Sequence, residues 1–157
     1  MLLAVVALVV LRPWEENPNA GPASVDVEVV RVVDGDTIEA RIDGEVEDVR
    51  LIGVDTPETV KPGEPVQCFG LRASRFTKRR LEGRRVRLVF GVERRDVYGR
   101  FLAYVYVGDR FFNPTLIRRG MARSLTIPPN DRFAPHLRRL ERAAARSGRG
   151  LWGACGP

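Results

Sequence analysis

The stretch T-I-E-A-R-I-D-G-E-V-E-D-V-R-L-I-G-V-D-T-P-E, residues 37–58, decides the architecture. Thr37–Ile42 and Glu45–Val54 read as two strands, in which apolar or β-branched residues are interleaved with polar ones. Asp43-Gly44 between them is a strong two-residue hairpin signal and predicts a type I′ turn. Upstream, Val25–Val33 alternates as V-D-V-E-V and then runs continuously as V-V-R-V-V, a strand expected to be half-buried and then buried. Asp34-Gly35-Asp36-Thr37 turns it back, so the chain opens with a three-stranded antiparallel meander. The third strand ends at Pro57, whose ring fixes its own φ and biases Thr56 out of the helical region. Arg50, Asp55 and Glu58 therefore ride on a strand end and a stiff turn. Such a mount suits catalysis, where misplacement by ~1 Å costs roughly 10²-fold in rate. Taken alone, the stretch is equally a charged rim on an ordinary sheet.

After a Pro/Gly loop at 59–65, the spacing predicts a helix over Val66–Leu81, with Phe69, Ala73 and Phe76 on its inward face. Gly83 ends it. Arg84–Gly91 reads as a fourth strand, Val92–Gly99 as a charged connection and Arg100–Val107 as a fifth strand. Asn113-Pro114 is an N-cap followed by a proline at the first helical position, starting a short helix to Arg119. A last helix spans Phe133–Arg146, its stripe being Leu137, Leu140 and Ala144. This order predicts an α+β fold: a small five-stranded β-barrel with three flanking helices.

At 157 residues, 44% hydrophobic and 29% charged, the chain is long enough for one packed domain. The net charge is +6, and most of the basic residues are arginine, whose fork binds phosphate oxygens two at a time. A solvated basic surface has the same composition. Met1–Leu11 is an apolar run too short to span a bilayer, and Glu15–Ser24 is polar linker. Residues 1–24 are therefore expected to be a signal peptide or membrane anchor plus linker, with residues 25–157 as the folded domain. With one histidine and no C-x-x-C, the sequence offers no zinc motif. The two cysteines, Cys68 and Cys155, either pair, as is usual in an exported protein, or remain separate buried thiols.

Carboxylates recur at two turns: Asp34 and Asp36 after the first strand, Asp55 and Glu58 after the third. Oxygen ligands of this kind suit Ca²⁺. Arg50 and Arg100 need anionic partners if buried, and a phosphate is one candidate.

The motifs D-G-D-T at 34–37, V-R-L-I-G-V-D-T-P-E-T at 49–59 and D-V-Y-G-R at 96–100 resemble those of the staphylococcal nuclease family. The resemblance runs over residues 25–153, through G-L-R-A-S-R-F-T-K at 70–78 and L-I-R-R-G-M-A at 116–122. It implies an OB-type five-stranded antiparallel barrel and Ca²⁺-dependent hydrolysis of DNA and RNA to 3′-phosphate and 5′-hydroxyl ends. It further implies Asp36, Asp55 and the Thr56 carbonyl as Ca²⁺ ligands. Glu58 would be the general base, Arg50 and Arg100 the phosphate-binding pair, and Tyr98 a neighbour of the substrate phosphate. Cys68 and Cys155 resemble a disulfide pair of exported relatives, and the expected product is an extracytoplasmic monomer. The pattern departs from the type members at Leu125-Thr126-Ile127-Pro128, where base-stacking tyrosines are absent, and at Val97, where a lysine is common. A non-catalytic OB-fold module binding nucleic acid or protein is the alternative, but it has no chemical need for all of Asp36, Arg50, Asp55, Glu58 and Arg100.

Overall fold

Asp43 and Gly44 both take positive φ, 51° and 91°, as a type I′ turn requires, and the strands on either side pair in register. The computed structural model describes residues 23–60 and 62–155. Among them, β1 is Ser24–Val32, β2 Thr37–Ile42, β3 Glu45–Leu51 and β4 Val54–Asp55. Helix α1 (Gly70–Leu81) follows, then β5 (Arg85–Arg95), β6 (Phe101–Val107) and β7 (Arg110–Phe111). The chain finishes with α2 (Asn113–Arg118), β8 (Arg123–Ser124), α3 (Ala134–Arg146) and the single turn α4 (Leu151–Ala154).

The principal strands are ordered β3-β2-β1-β5-β6, and β6 returns to pair with β3. That last ladder, Val49↔Phe101 to Leu51↔Ala103, runs parallel and closes the barrel; the other ladders of the barrel are antiparallel. Closure covers the edge of β3 from Val49 to Leu51. Val29, Ile38, Val49, Leu51, Leu88 and Val105 fill the interior and are fully buried. The helices pack outside this barrel, with Leu116, Ile117 and Leu137 joining the same core.

Three local expectations are corrected. The continuous valine run in β1 is not uniformly buried: strand alternation turns Val30 outward after buried Val27 and Val29, and the register shift between Val29 and Arg31 keeps Arg31 outside and brings Val32 in. Helix α1 begins at Gly70 rather than Val66. Phe69 sits at a left-handed φ of 70°, and Gln67 is occupied in pairing its N–H with the Glu58 carbonyl at 2.9 Å. Strand β5 continues to Arg95 through a second register shift, so half of the charged connection is strand; there Arg95 pairs with Glu47 at 3.0 Å.

Cys68 and Cys155 form a disulfide that ties the loop before α1 to the end of α4. The expected leader or anchor lies, except for Ala23 and Ser24, outside the described residues. Among the described residues, no helix is long and apolar enough to cross a membrane.

Candidate active site

The turn between β1 and β2 is buried and built from three interactions. The N–H groups of Val33 and Asp34 both donate to the Thr37 carbonyl, and Asp36 N–H donates to Asp34 Oδ1 at 3.1 Å. From outside the barrel, the Thr77 hydroxyl on α1 donates to the Gly35 carbonyl at 2.7 Å. Thr77 is fully buried, so this bond fixes α1 against the turn where water does not compete. A side chain at Gly35 would meet the Thr56 side chain at 2.6–2.8 Å. The turn therefore lies flush against the segment that follows β4. Asp36 Oδ2 accepts the Thr56 N–H at 2.6 Å and the Thr56 hydroxyl at 2.9 Å. Two loops some twenty residues apart are joined at one carboxylate.

Arg50 emerges from the end of β3 into the same place. Its Nη1 donates to the carbonyls of Leu51 (3.0 Å) and Val54 (2.8 Å), which holds the guanidinium flat against its own strand end. Its Nη2 lies 3.3 Å from Asp36 Oδ2 and 3.2 Å from Asp55 Oδ1. Two oxygens sharing one nitrogen at those distances can be no further apart than their sum, 6.5 Å. Asp55 is more exposed than Asp36 and is carried on β4, which pairs with β8 as Asp55↔Arg123. Strand β8 is held in turn by Glu141 of α3, which accepts the Ser124 N–H and hydroxyl.

Glu58 follows the Pro57 turn. Its Oε1 accepts the N–H groups of Thr59 and Val60, both at 2.8 Å. Gln67 clamps its backbone from the other side, donating to the Glu58 carbonyl and accepting the Glu58 N–H. A Cβ at Gly70 would lie 3.0 Å from the Glu58 carbonyl, so the first residue of α1 also packs tightly against this loop.

Arg100 and Tyr98 come from the turn between β5 and β6. Asp96 organises that turn: Oδ1 accepts the N–H of Tyr98 and of Arg100 at 3.0 Å, and Oδ2 accepts Arg100 Nε at 2.7 Å. The Arg100 guanidinium lies 5.4 Å from the centre of the Tyr98 ring, a cation–π contact. Arg50, Tyr98 and Arg100 line one cleft of about 300 Å³, whose apolar wall includes Leu102, Leu125 and Ile127. Tyr98, Val97 and Ile127 remain largely exposed there.

The fold thus gathers Asp36, Arg50, Asp55 and Thr56 into contact, puts Arg100 and Tyr98 in the same cleft lining as Arg50, and brings Glu58 close enough to act on the carboxylates electrostatically. Burial, then the charge of Asp36, pushes the Asp34 carboxyl up to about 6, with Glu58 adding to the rise. Asp55 is also raised, first by burial and then by Asp36, against the opposing pull of Arg50. Two carboxylates therefore share Arg50, with Asp34 beside Asp36 and Glu58 within electrostatic reach. An oxygen-only, negatively charged donor set of this kind fits a hard divalent cation and not a thiophilic one. Among the described residues, no group of three His, Cys, Asp or Glu side chains is already drawn into metal-ligand geometry.

The family profile "Staphylococcal nuclease homologue" matches residues 48–154. A thermonuclease of Staphylococcus intermedius is 46% identical over 160 aligned positions, covering 97% of this chain and 95% of that protein. The chain belongs to the staphylococcal nuclease family. A thermonuclease of Staphylococcus hyicus is 39% identical with the same coverage. Endonuclease YncB of Bacillus subtilis is 38% identical over 84% of this chain and 64% of its own length.

Within this nuclease-family site, sequence reasoning missed three residues. Asp96 clamps Arg100, and the four-residue Asp–Arg spacing in D-V-Y-G-R was the available signal. Thr77 carries no sequence mark that separates it from any other helical threonine. Asn113, an N-cap by sequence pattern, is instead the first residue of α2 and completely buried. Its Oδ1 accepts the Val105 N–H at 2.9 Å and its Nδ2 donates to the Ile52 carbonyl at 2.8 Å, tying β6 to the turn beside Arg50.

Proposed function

We propose that this chain is a Ca²⁺-dependent nuclease that hydrolyses DNA, RNA or both to 3′-phosphate and 5′-hydroxyl ends. The observation that carries the reading is the convergence of Asp36 and Asp55 on Arg50 at the edge of the cleft that Arg100 and Tyr98 also line. Asp36, Asp55 and the Thr56 carbonyl would hold the cation. When bound, it supplies positive charge that offsets the developing phosphorane charge and favours ionisation of water.

The remaining work falls to the chain itself. Arg50 and Arg100 bind the scissile phosphate and stabilise the charge added on attack, from guanidiniums already oriented by carbonyls and by Asp96. Glu58 accepts a proton from the attacking water; its carboxylate is oriented by two backbone N–H groups rather than left to swing. Tyr98 stands beside the phosphate. Leu102, Leu125 and Ile127 offer the nucleoside an apolar wall in place of stacking rings, which are worth about 1–3 kcal/mol per base. Residues 1–24 serve as export signal or membrane anchor for a monomeric, extracytoplasmic domain spanning 25–157, a location that suits the Cys68–Cys155 disulfide.

The test is hydrolysis of denatured DNA by the full chain with Ca²⁺, with Ca²⁺ removed by a chelator, and with Glu58→Gln. Loss of activity with chelator and a drop of about 10²–10⁴-fold for Glu58→Gln are expected. Activity that survives either change refutes the assigned mechanism.

A further inference from the structure

A second cleft, of about 750 Å³, is lined by Arg80, Arg84, Arg110, Arg118, Arg119 and Arg149. No carboxylate lines it. The six arginines come from α1, the residue before β5, β7, the last residue of α2 and the one after it, and the segment after α3, so barrel closure and helix docking bring them together. Among the described residues, none of the six forms an ion pair, whereas Arg31, Arg50, Arg95 and Arg100 all do. Two are held in place: Arg149 Nη1 donates to the Arg118 carbonyl at 3.0 Å, and Arg80 stacks over Phe76 at 5.2 Å. Helix dipoles favour Arg80 and Arg118 at helix C-termini, but not Arg84, Arg110 or Arg149. Six like charges around one opening repel one another and focus a positive potential that an anion would relieve.

The composition narrows the anion. All basic residues except Lys61 and Lys78 are arginines, the side chain suited to forked contacts with phosphate oxygens. Half-buried Phe111 adds an aromatic surface to the lining, and arginines interleaved with an aromatic ring in a groove are how single strands are held without base readout. The position is remote from the candidate site. Arg100 precedes the first residue of β6, and Val107, its last residue, lines the second cleft. Seven strand residues at about 3.3 Å each separate the two by roughly 23 Å.

We propose that this arginine cleft binds the sugar–phosphate backbone of single-stranded nucleic acid away from the bond being cleaved. Long substrates then bind through two surfaces and a dinucleotide through one. The choice of occupant rests on the nuclease reading.

The test compares the full chain with Arg84→Gln/Arg118→Gln/Arg119→Gln. Binding to a labelled 30-nucleotide DNA strand is measured with chelator present, so that no turnover is needed. Losing three phosphate contacts should lower the salt slope by about 2, shrinking the fall in affinity between 50 and 200 mM salt about 20-fold. With Ca²⁺, kcat/KM for denatured DNA should fall at least about 10-fold while that for a dinucleotide stays unchanged. The charge-preserving Arg118→Lys/Arg119→Lys variant should keep the wild-type slope, which separates charge from folding. An unchanged slope and affinity in the triple glutamine variant overturns the proposal. So does loss of binding to phosphatidylserine vesicles with DNA binding intact, which would make the cleft a lipid surface. A chain that binds DNA through this cleft and hydrolyses nothing would refute the nuclease reading and leave the cleft standing.

Discussion

Replacing Gly35 by alanine tests whether the two carboxylate loops must be flush. A Cβ there would stand 2.6 Å from Thr56 Cγ2, 2.7 Å from Thr56 Oγ1 and 2.8 Å from Thr56 Cβ. Carbon atoms rest at about 3.5–4.0 Å, so the contact must open by roughly 0.9 Å or more. The turn cannot yield outward freely, because Thr77 holds the Gly35 carbonyl at 2.7 Å and Leu51 N–H holds the Asp36 carbonyl at 2.9 Å. The displacement therefore falls on Thr56 and with it on Asp55, pulling both from Asp36. Overpacking of this kind costs about 1–3 kcal/mol, which a domain stable by about 5–15 kcal/mol survives folded. A misplacement near 1 Å costs roughly 10²-fold in rate. The expected outcome is thus a folded protein with kcat/KM on denatured DNA about 10²-fold lower. Hydrolysis is followed by absorbance and stability by urea unfolding of the same samples. Near-wild-type activity in folded Gly35→Ala would refute the view that this contact sets the site.

Asn113→Ala leaves the buried Val105 N–H and Ile52 carbonyl without partners, at about 1–3 kcal/mol each, so the urea-unfolding free energy should fall by about 2–6 kcal/mol; a loss under 1 kcal/mol counts against the clamp. Asp34 carries a raised folded-state pKa of about 6, so its protonation stabilises the native state below the unfolded value and that contribution is lost as pH rises through 6. In chelator, wild-type stability should decline from pH 4 to 7, and Asp34→Asn should flatten that decline; an unaltered profile rejects the assignment. Cys68→Ser/Cys155→Ser opens a loop of sequence separation 87 and should cost about 2–5 kcal/mol by urea unfolding, an unmoved midpoint being the contrary result.

What could be read from sequence was whatever local chemistry specifies. Asp43-Gly44 marks its turn because few residue pairs accept two positive φ values in succession. Pro57 marks the end of the site strand because it constrains the residue before it as well as itself. The contact of Asp36 and Asp55 with Arg50, and the shared cleft of Arg50 and Arg100, join residues that each sit in one of three sequence motifs. Tertiary clamps were not legible. Asn113 followed by Pro114 satisfies the cap pattern whether its side chain turns back to its own helix or, as found, across to Val105 and Ile52. The charges at 93–95 concealed a strand, because a register shift carries Arg95 to Glu47 and over the Phe101 ring. Nor could the arginine cleft be seen, as its members are spread over some seventy residues and meet only after closure.

On the proposed reading, the site without its cation is arranged against its own substrate. Asp36 and Asp55 lie against Arg50, and Asp34 and Asp55 are raised first by burial and then by the charge of Asp36, with Glu58 adding to both. A phosphodiester entering between Arg50 and Arg100 meets that negative charge. It must also compete for Arg50, because Nη1 is committed to two carbonyls and Nη2 is shared by two carboxylates. On the proposed reading, engaging those carboxylates with a divalent cation removes both obstacles at once. Linkage then requires the converse, that nucleotide binding tighten cation binding by the same factor. Titrating Ca²⁺ with and without a non-hydrolysable dinucleotide should give a ratio of affinities equal to that of the dinucleotide titrated with and without Ca²⁺. Asp55→Asn, which lifts charge from Arg50 without supplying a cation, should weaken that coupling while leaving dinucleotide binding in chelator unchanged or tighter.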